Sequence, residues 1–320
     1  MIQFEMSQPD SGKKLHRYLR QALPGLPLSG VYKMIRVGRI KVNGKKGNND
    51  TLLQAGDIVT IYMPEQEYQA LSRPAKKFGG VSKDIDIVYE DAHLLVVNKP
   101  VGLLTHPDAT EHKDTLISRA LAYLHSRGEL SDGRAFMPAT VNRLDRNTSG
   151  IVLIGKDGDT LRKLAQDIRE HRLSKFYLTV VWGAVAEAGE VNSDLVRDER
   201  SGRTLIAGRV HARRPDDNLF RVQGAVTRYE PWGTAGPFTL LKVEIESGRT
   251  HQIRAHLQDI GHPLLGDVKY GGKLAFGVNH HLLHAQSVVL ADGTTFFAPP
   301  SAAFMSVLQQ SGLVRFLRKT

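Results

Sequence analysis

The chain has 320 residues and no cysteine, which excludes disulfides, thiolate-bound zinc and iron–sulfur clusters and fits a reducing compartment. No apolar run reaches membrane-spanning length, and residues 1–20 mix acids, bases and chain breakers without the apolar stretch of a secretory leader. A soluble, cytoplasmic protein is expected, with no membrane partner. Neither a Walker loop nor a dinucleotide-binding glycine fingerprint is present, so no nucleotide cofactor is expected. His251 and His256 stand five apart, not the four that put two imidazoles on one helix face for zinc, and no glutamate follows the first. His280, His281 and His284 cluster without cysteine and read as packing and hydrogen-bonding groups. The expectation is no metal and no cofactor.

The chain does have positive charge, and its placement is informative. Net charge is +10, and residues 1–80 hold 13 Lys and Arg against 6 Asp and Glu, leaving 30 against 27 for the rest. A quarter of the chain thus carries +7, the footprint of a polyanion-binding module. Nucleic acid fits better than membrane, because no amphipathic helix presents an aromatic insertion face. The alternative is a solvated lysine surface. With 41% hydrophobic residues, one large domain plus a smaller one is expected.

In that first module Leu15, Tyr18, Leu19, Ala22 and Leu23 recur at helical spacing, with Lys13, Lys14, Arg17 and Arg20 on the other side. Pro24-Gly25 ends this helix. Ser29 is the expected cap of a second helix, with Val31, Met34 and Ile35 inward and Lys33, Arg36 and Arg39 outward, broken near Gly38. Strand Ile40-Lys41-Val42, the turn Asn43-Gly44-Lys45-Lys46, and a strand from Ile58 to Met63 follow. Residues 64–83, with Pro64, Pro74, Lys76, Lys77, Gly79 and Gly80, read as a linker.

Beyond it, residues 85–90 and 93–98 read as strands, Leu116 to Leu124 as a helix, Leu161 to His171 as a helix, and Lys175 to Gly183 as a strand. Long β segments with few helices between them predict an α+β domain dominated by mainly antiparallel sheet with flanking helices. The segment from Val141 to Gly150 sets one carboxylate, Asp145, between Arg143 and Arg146, ends in Thr148-Ser149-Gly150 and runs into the apolar stretch Ile151 to Ile154. The guanidinium groups favour an ionised Asp145. The other reading is an ion-pair cluster on a surface loop. On the strand from Lys175, alternation puts Lys175, Tyr177 and Thr179 on one face, where the tyrosine serves either proton transfer or packing. Residues 247–257 run into a helix that Thr250 is placed to cap and that stops at Gly261 and Pro263, with Ile253, Leu257 and Ile260 toward the core and His251 and Arg254 on one side. A cation there is placed to meet a remote carboxylate.

Two resemblances follow from these motifs. Residues 12–63, with Lys-Met-Ile-Arg-Val-Gly-Arg-Ile-Lys-Val-Asn-Gly and then Leu-Gln-Ala-Gly-Asp-Ile-Val, resemble the S-four RNA-binding domain. This implies RNA contact through the two helices, with Lys33, Arg36, Arg39 and Lys41 on phosphate. Residues 85–300 resemble the RluA family of RNA pseudouridine synthases. The resemblance is carried by Tyr89-Glu90-Asp91, Leu94 to Leu103 with Asn98-Lys99-Pro100, Arg143-Leu144-Asp145-Arg146 with Thr148-Ser149-Gly150, and Lys175 with Tyr177. Gly248 to His256, Gly261 to Asp267 and Leu283-His284-Ala285 complete it. Position 142 is mostly histidine in that family and position 147 often aspartate, whereas this chain has Asn142 and Asn147.

The resemblance implies an isomerase that turns uridine into pseudouridine, with Asp145 as the nucleophile that attacks the sugar or assists its elimination, Tyr177 packing on the target base and a candidate for proton transfer, Arg254 pairing with the aspartate and Arg143 displacing the nucleotide from its helix. Arg249 joins the RNA-binding set. The expected organisation is an RNA-binding domain over 1–63, a linker over 64–83 and a catalytic domain over 84–320. The expected partner is RNA, large-subunit ribosomal RNA first, and the chain is expected to be a monomer. Transfer RNA as substrate, or a non-catalytic ribosome-assembly factor, are the other readings.

Overall fold

Leu15, Tyr18 and Leu19 are buried along helix α1 (Leu15–Ala22), and Val31, Met34 and Ile35 along α2 (Leu28–Arg36), so the expected apolar faces are the ones that pack. The computed structural model describes residues 1–72, 80–130, 137–198, 200–211 and 222–318. The chain divides into two units, Met1–Gly80 and Val81–Thr320.

In the first unit a four-stranded antiparallel sheet backs the two helices. It consists of β1 (Ile2–Glu5), β2 (Ile40–Val42), β3 (Lys45–Lys46) and β4 (Ile58–Ile61), ordered β1-β4-β2-β3. Asn43 and Gly44 both take positive φ, 50° and 77°, which gives the tight turn between β2 and β3 the twist a hairpin needs. The strand β1 is an addition to the expected elements. α2 begins one residue before the expected cap Ser29, because Pro27 holds its fixed φ of −63° at the entry and leaves Ser29 inside the first turn.

The expected linker over 64–83 also differs. Glu65–Ser72 forms α3, and its Tyr68 and Leu71 pack on the first unit's core. Leu71 accepts a hydrogen bond from the Gly25 amide at 2.8 Å, and the Tyr68 ring lies 5.8 Å from that of Phe4. Two apolar anchors three apart in a polar segment leave little periodic signal, yet they suffice to fix a short helix. Pro74, Lys76, Lys77 and Gly79 lie outside the described residues.

The second unit is an α+β domain built on a large sheet. Its strands are β5 (Asp86–Glu90), β6 (Leu94–Lys99), β7 (Ala139–Thr140), β8 (Ser149–Gly155), β9 (Ser174–Trp182), β10 (Gly189–Asn192), β13 (Val226–Ala235), β14 (Phe238–Ile245), β15 (Leu283–Val289) and β16 (Thr295–Phe297). A separate hairpin pairs β11 (Leu195–Asp198) with β12 (Arg203–Ile206). The sheet runs β10-β13-β14-β9-β15-β8-β6-β5, with β7 on β8 and β16 on β15. Every pairing is antiparallel except β8 with β15.

That parallel pair lies at the centre, and only glycine fits its register. Gly150 has φ 113°, and a Cβ there would meet the Ala285 carbonyl oxygen at 2.1 Å. All seven residues of β8 are buried, with Ile151 and Leu153 packing against Leu94, Val96, Leu164 and Val288. Helices α4 (Leu116–Ser126), α5 (Gly158–Arg169), α6 (Ala207–His211), α7 (Gln252–Asp259) and α8 (Ala302–Gln310) complete the unit. A second core of Leu178, Val180, Leu240, Phe304 and Leu308 joins β9 and β14 to α8.

Candidate active site

The segment before β8 has no regular structure, yet hydrogen bonds fasten its backbone at Val141, Leu144, Asp145, Arg146 and Thr148. Asn142 lays its amide along β8, donating from Nδ2 to the Ile151 carbonyl at 3.1 Å and accepting at Oδ1 from the Leu153 amide at 2.9 Å. An imidazole offers no such amide pair, so the asparagine at 142 has a structural use of its own. The Thr105 hydroxyl donates to the Leu144 carbonyl at 2.9 Å and accepts from the Leu144 amide at 3.1 Å. The Thr148 amide donates to the Asp145 carbonyl at 3.1 Å.

Lys99, at the end of β6 and fully buried, closes the arrangement. Its Nζ donates to the carbonyls of Leu103 at 2.7 Å, Pro100 at 2.9 Å and Arg146 at 3.0 Å. Three ammonium protons meet three carbonyls. Burial pulls this ammonium down to about 7, against the opposing pull of Asp145. These bonds fasten the loop around Asp145, whose side chain remains a quarter exposed.

The partner of that carboxylate comes from α7. Arg254 donates from Nη1 to Asp145 Oδ2 at 3.2 Å and makes a bidentate pair with Asp267, Nε to Oδ2 at 2.6 Å and Nη2 to Oδ1 at 2.8 Å. Its guanidinium lies 4.7 Å over the Tyr270 ring. Asp267 and Tyr270 are almost wholly buried, so the arginine is held by one carboxylate and presented to another. The neighbouring arginines do other things. Arg146 reaches Thr110 at 2.8 Å and Asp108 at 3.9 Å, and Arg143 is exposed.

α7 starts differently from expectation. Thr250 does not cap it. Its first flanking residue is His251, in the left-handed conformation (φ 55°, ψ 21°) and without a side-chain cap. The imidazole is turned instead toward Asp145, with Nε2 3.6 Å from Oδ2, and its Nδ1 lies 2.9 Å from the Tyr270 hydroxyl. Burial first, then the charges of Arg254, Arg197 and Lys269, bring His251 down to about 4 despite Asp145.

Tyr177 on β9 is buried beside Asp145, and burial together with that negative charge raises its phenol well above the ordinary range. It is a protonated phenol at neutral pH. Its neighbour on the same face, Lys175, points elsewhere, donating to the carbonyls of Ser247 at 2.9 Å and Glu246 at 3.2 Å. Arg143, Asp145, Tyr177, Arg249, His251 and Arg254 line one small pocket with Thr148. The structure thus gathers there the expected site residues of the second unit, Asp145, Tyr177, Arg254, Arg143 and Arg249, and leaves Lys175 and Arg146 outside the lining. Lys33, Arg36, Arg39 and Lys41 belong to the first unit.

Lys99 and Asp267 appear in the sequence only inside longer motifs, His251 stands out there only as sharing a side with Arg254 and as misplaced for zinc, and Thr105 and Tyr270 have no signal of their own. The buried histidines do as expected. His281 Nε2 lies 2.8 Å from the Thr148 hydroxyl, and His284 bridges Ser149 and the Ala298 carbonyl, both at 2.9 Å.

Burial, then Arg254, pushes His281 down to about 3. In the unfolded chain an imidazole takes up a proton near 6.5, so as pH falls the unfolded state gains protons first. The stability that a neutral His281 contributes is complete above 6.5 and is lost as pH falls toward 3. Urea midpoints should therefore drop below pH 6.5, and His281→Asn should flatten that dependence. A wild-type profile shared by the variant would assign the acid lability elsewhere.

The second unit thus holds, on a mainly antiparallel sheet, a carboxylate paired with a buried arginine in a pocket that Arg143 and Arg249 also line. Comparison with known proteins is specific. The family model described as RNA pseudouridylate synthase matches residues 93–259. Ribosomal large subunit pseudouridine synthase C of Vibrio cholerae is 32% identical over 301 residues, 90% of this chain and 88% of that one. The Escherichia coli protein of the same name is 31% identical over 296 residues, 87% of this chain and 85% of that one. Human RNA pseudouridylate synthase domain containing 4 shares the fold at TM-score 0.56 and 20% identity, covering 72% of this chain and 93% of its own. The chain belongs to the RNA pseudouridylate synthase family and is an RNA pseudouridine synthase, an isomerase. Among the described residues no helix is long and apolar enough to cross a membrane.

Proposed function

We propose that this chain isomerises specific uridines of large-subunit ribosomal RNA, with Asp145 as the nucleophile on a flipped-out nucleotide. The observation that carries the chemistry is the clamp on Asp145. One oxygen accepts from Arg254, the backbone around it is pinned, and the pocket opens onto the carboxylate. The target RNA is supported by the relatives named ribosomal large subunit pseudouridine synthase C, which the chain matches over most of its length.

In this reading the carboxylate attacks C1′ of the uridine, and the bond to N1 of the base breaks with its electron pair on the uracil. The uracil turns within the pocket, C5 forms the new bond to C1′, and the carboxylate leaves. C5 then gives up its proton and N1 gains one, so atoms and electrons balance without an external reagent. Arg254 pairs with Asp145 and orients it, the Tyr177 ring forms a wall for the base and its protonated hydroxyl is at hand for proton transfer. Arg143 and Arg249, at the rim, meet the RNA backbone and help hold the nucleotide out of its stack.

Uridine RNA tritiated at carbon 5 tests the reaction, since isomerisation releases the label to water. Release from ribosomal RNA transcripts is expected. Release only from transfer RNA would move the substrate, and none from either would favour a binding-only factor.

The first unit supplies a separate RNA-binding surface in this proposal, in the manner of an S-four domain. Lys33, Arg36 and Arg39 are exposed and have no acidic partner among the described residues, and Lys41 lies 5.2 Å from the Tyr62 ring centre. Lys33 and Arg36 edge a groove with Tyr32, Lys46 and Asn49. Changing both Lys33 and Arg36 to alanine should weaken RNA binding most at low salt, and the slope of log affinity against log salt should fall by about one for each phosphate no longer neutralised. Filter binding across a salt series reads this, and an unchanged slope would remove these residues from the interface.

A further inference from the structure

Asp145 is approached by two groups, and both come to the same oxygen. Arg254 Nη1 is 3.2 Å from Oδ2 and His251 Nε2 is 3.6 Å from it, whereas among the described residues Oδ1 accepts no hydrogen bond. The state of the imidazole follows from its other nitrogen. The Tyr270 oxygen accepts the Thr204 amide hydrogen at 2.7 Å, which leaves its own proton for His251 Nδ1 at 2.9 Å. Arg197 Nη1, which can only donate, is 3.4 Å from that Nδ1. Two donors aimed at Nδ1 make it an acceptor, so the ring proton is on Nε2, facing Asp145.

Backbone geometry points the same way. His251 is held in the left-handed region, sparsely populated by residues with a Cβ, and such conformations gather where a side chain must be aimed. Here the aim is at Asp145. The charged and titratable groups facing the ring are Asp145, Arg254, Arg197, Lys269, Tyr270 and His281. With three cations already there, a neutral donor orients the carboxylate without adding positive charge that would weaken it as a nucleophile.

We propose that His251 is a positioning residue for the isomerisation: its Nε2–H, with Arg254, engages Oδ2 of Asp145 and leaves Oδ1 as the oxygen that meets the sugar. This rests on Asp145 being the nucleophile. The present separation is longer than a hydrogen bond, and the contact closes when the site fills, as catalytic hydrogen bonds commonly do. Donation to Oδ2 then contributes in the transition state more than in binding.

The test compares His251→Leu with His251→Gln, which keeps an N–H near the Nε2 position. Both are unbranched at Cβ and bear a similar backbone strain, so their difference reads the donor. On a large-subunit ribosomal RNA transcript, His251→Leu should lose roughly 10- to 100-fold in kcat with KM within about threefold, and His251→Gln should recover most of the loss. A leucine variant with wild-type kcat, or a glutamine variant no better than leucine, overturns the assignment. Nitrogen-15 shifts of the wild-type histidines provide a reading that no variant's folding can spoil: Nδ1 should be unprotonated and Nε2 protonated, and the opposite tautomer or an imidazolium at pH 7 also overturns it. Activity in Asp145→Asn would bring down the nucleophile reading itself. An inactive Asp145→Asn beside a fully active His251→Leu would bring down only this inference.

Discussion

Asp145→Asn should leave the chain folded, still binding RNA, and without measurable isomerisation, the rate falling by at least about a thousandfold. Asparagine matches aspartate in shape, and its carbonyl can still accept from Arg254. What it removes is the charge and the nucleophilic oxygen. Stability should change little, because Arg254 keeps its bidentate pair with Asp267, and the loop stays fastened through Lys99, Thr105 and Asn142, none of which hydrogen-bonds the Asp145 side chain. Tritium release from carbon 5, filter binding and a urea melt read the three quantities separately. Persistent release would take Asp145 out of the chemistry. Lost activity together with lost stability would mean that the carboxylate acts as a structural ion pair, the other reading its sequence left open.

How much of this was legible in the sequence depends on the range over which each signal acts. The helix faces of α1 and α2 were visible because apolar periodicity is local. The mainly antiparallel sheet was visible from the number of strand-like runs. Asp145 stood out because two arginines flank it, but those arginines turn out not to be its partners. Arg254, 109 residues along, is the one that touches it.

Interactions that close over such distances leave no spacing to read. Asp267 has no local peculiarity, yet it fixes the guanidinium. Thr105 is 39 residues from the backbone it pins. The spacing of His251 speaks against a zinc pairing and sets it on one side with Arg254, while its left-handed backbone, which turns the ring to Asp145, depends on how α7 begins and is invisible in composition. The helix α3 was lost in an apparent linker because two anchors, Tyr68 and Leu71, do the packing for eight residues.

Arg254 offers the second large effect, and it separates stability from function. Arg254→Leu should destabilise the second unit by about 3–5 kcal/mol, since Asp267 would remain buried with its bidentate partner gone. Activity should fall by roughly a hundredfold or more, because Asp145 also loses its donor. The informative protein is the double variant Arg254→Leu with Asp267→Leu. Replacing both members of a buried pair by apolar groups is often neutral or stabilising, so most of the lost stability should return. Catalysis should not, because Oδ2 then has no guanidinium to hold it. Urea unfolding and single-turnover tritium release on the two variants give the comparison. Recovery of both quantities together would show that Arg254 matters only through the integrity of the fold, whereas recovery of stability alone assigns the guanidinium to Asp145. The pair with Asp267 would then be what keeps this arginine buried and aimed, which explains why so costly a charge lies beneath the pocket at all.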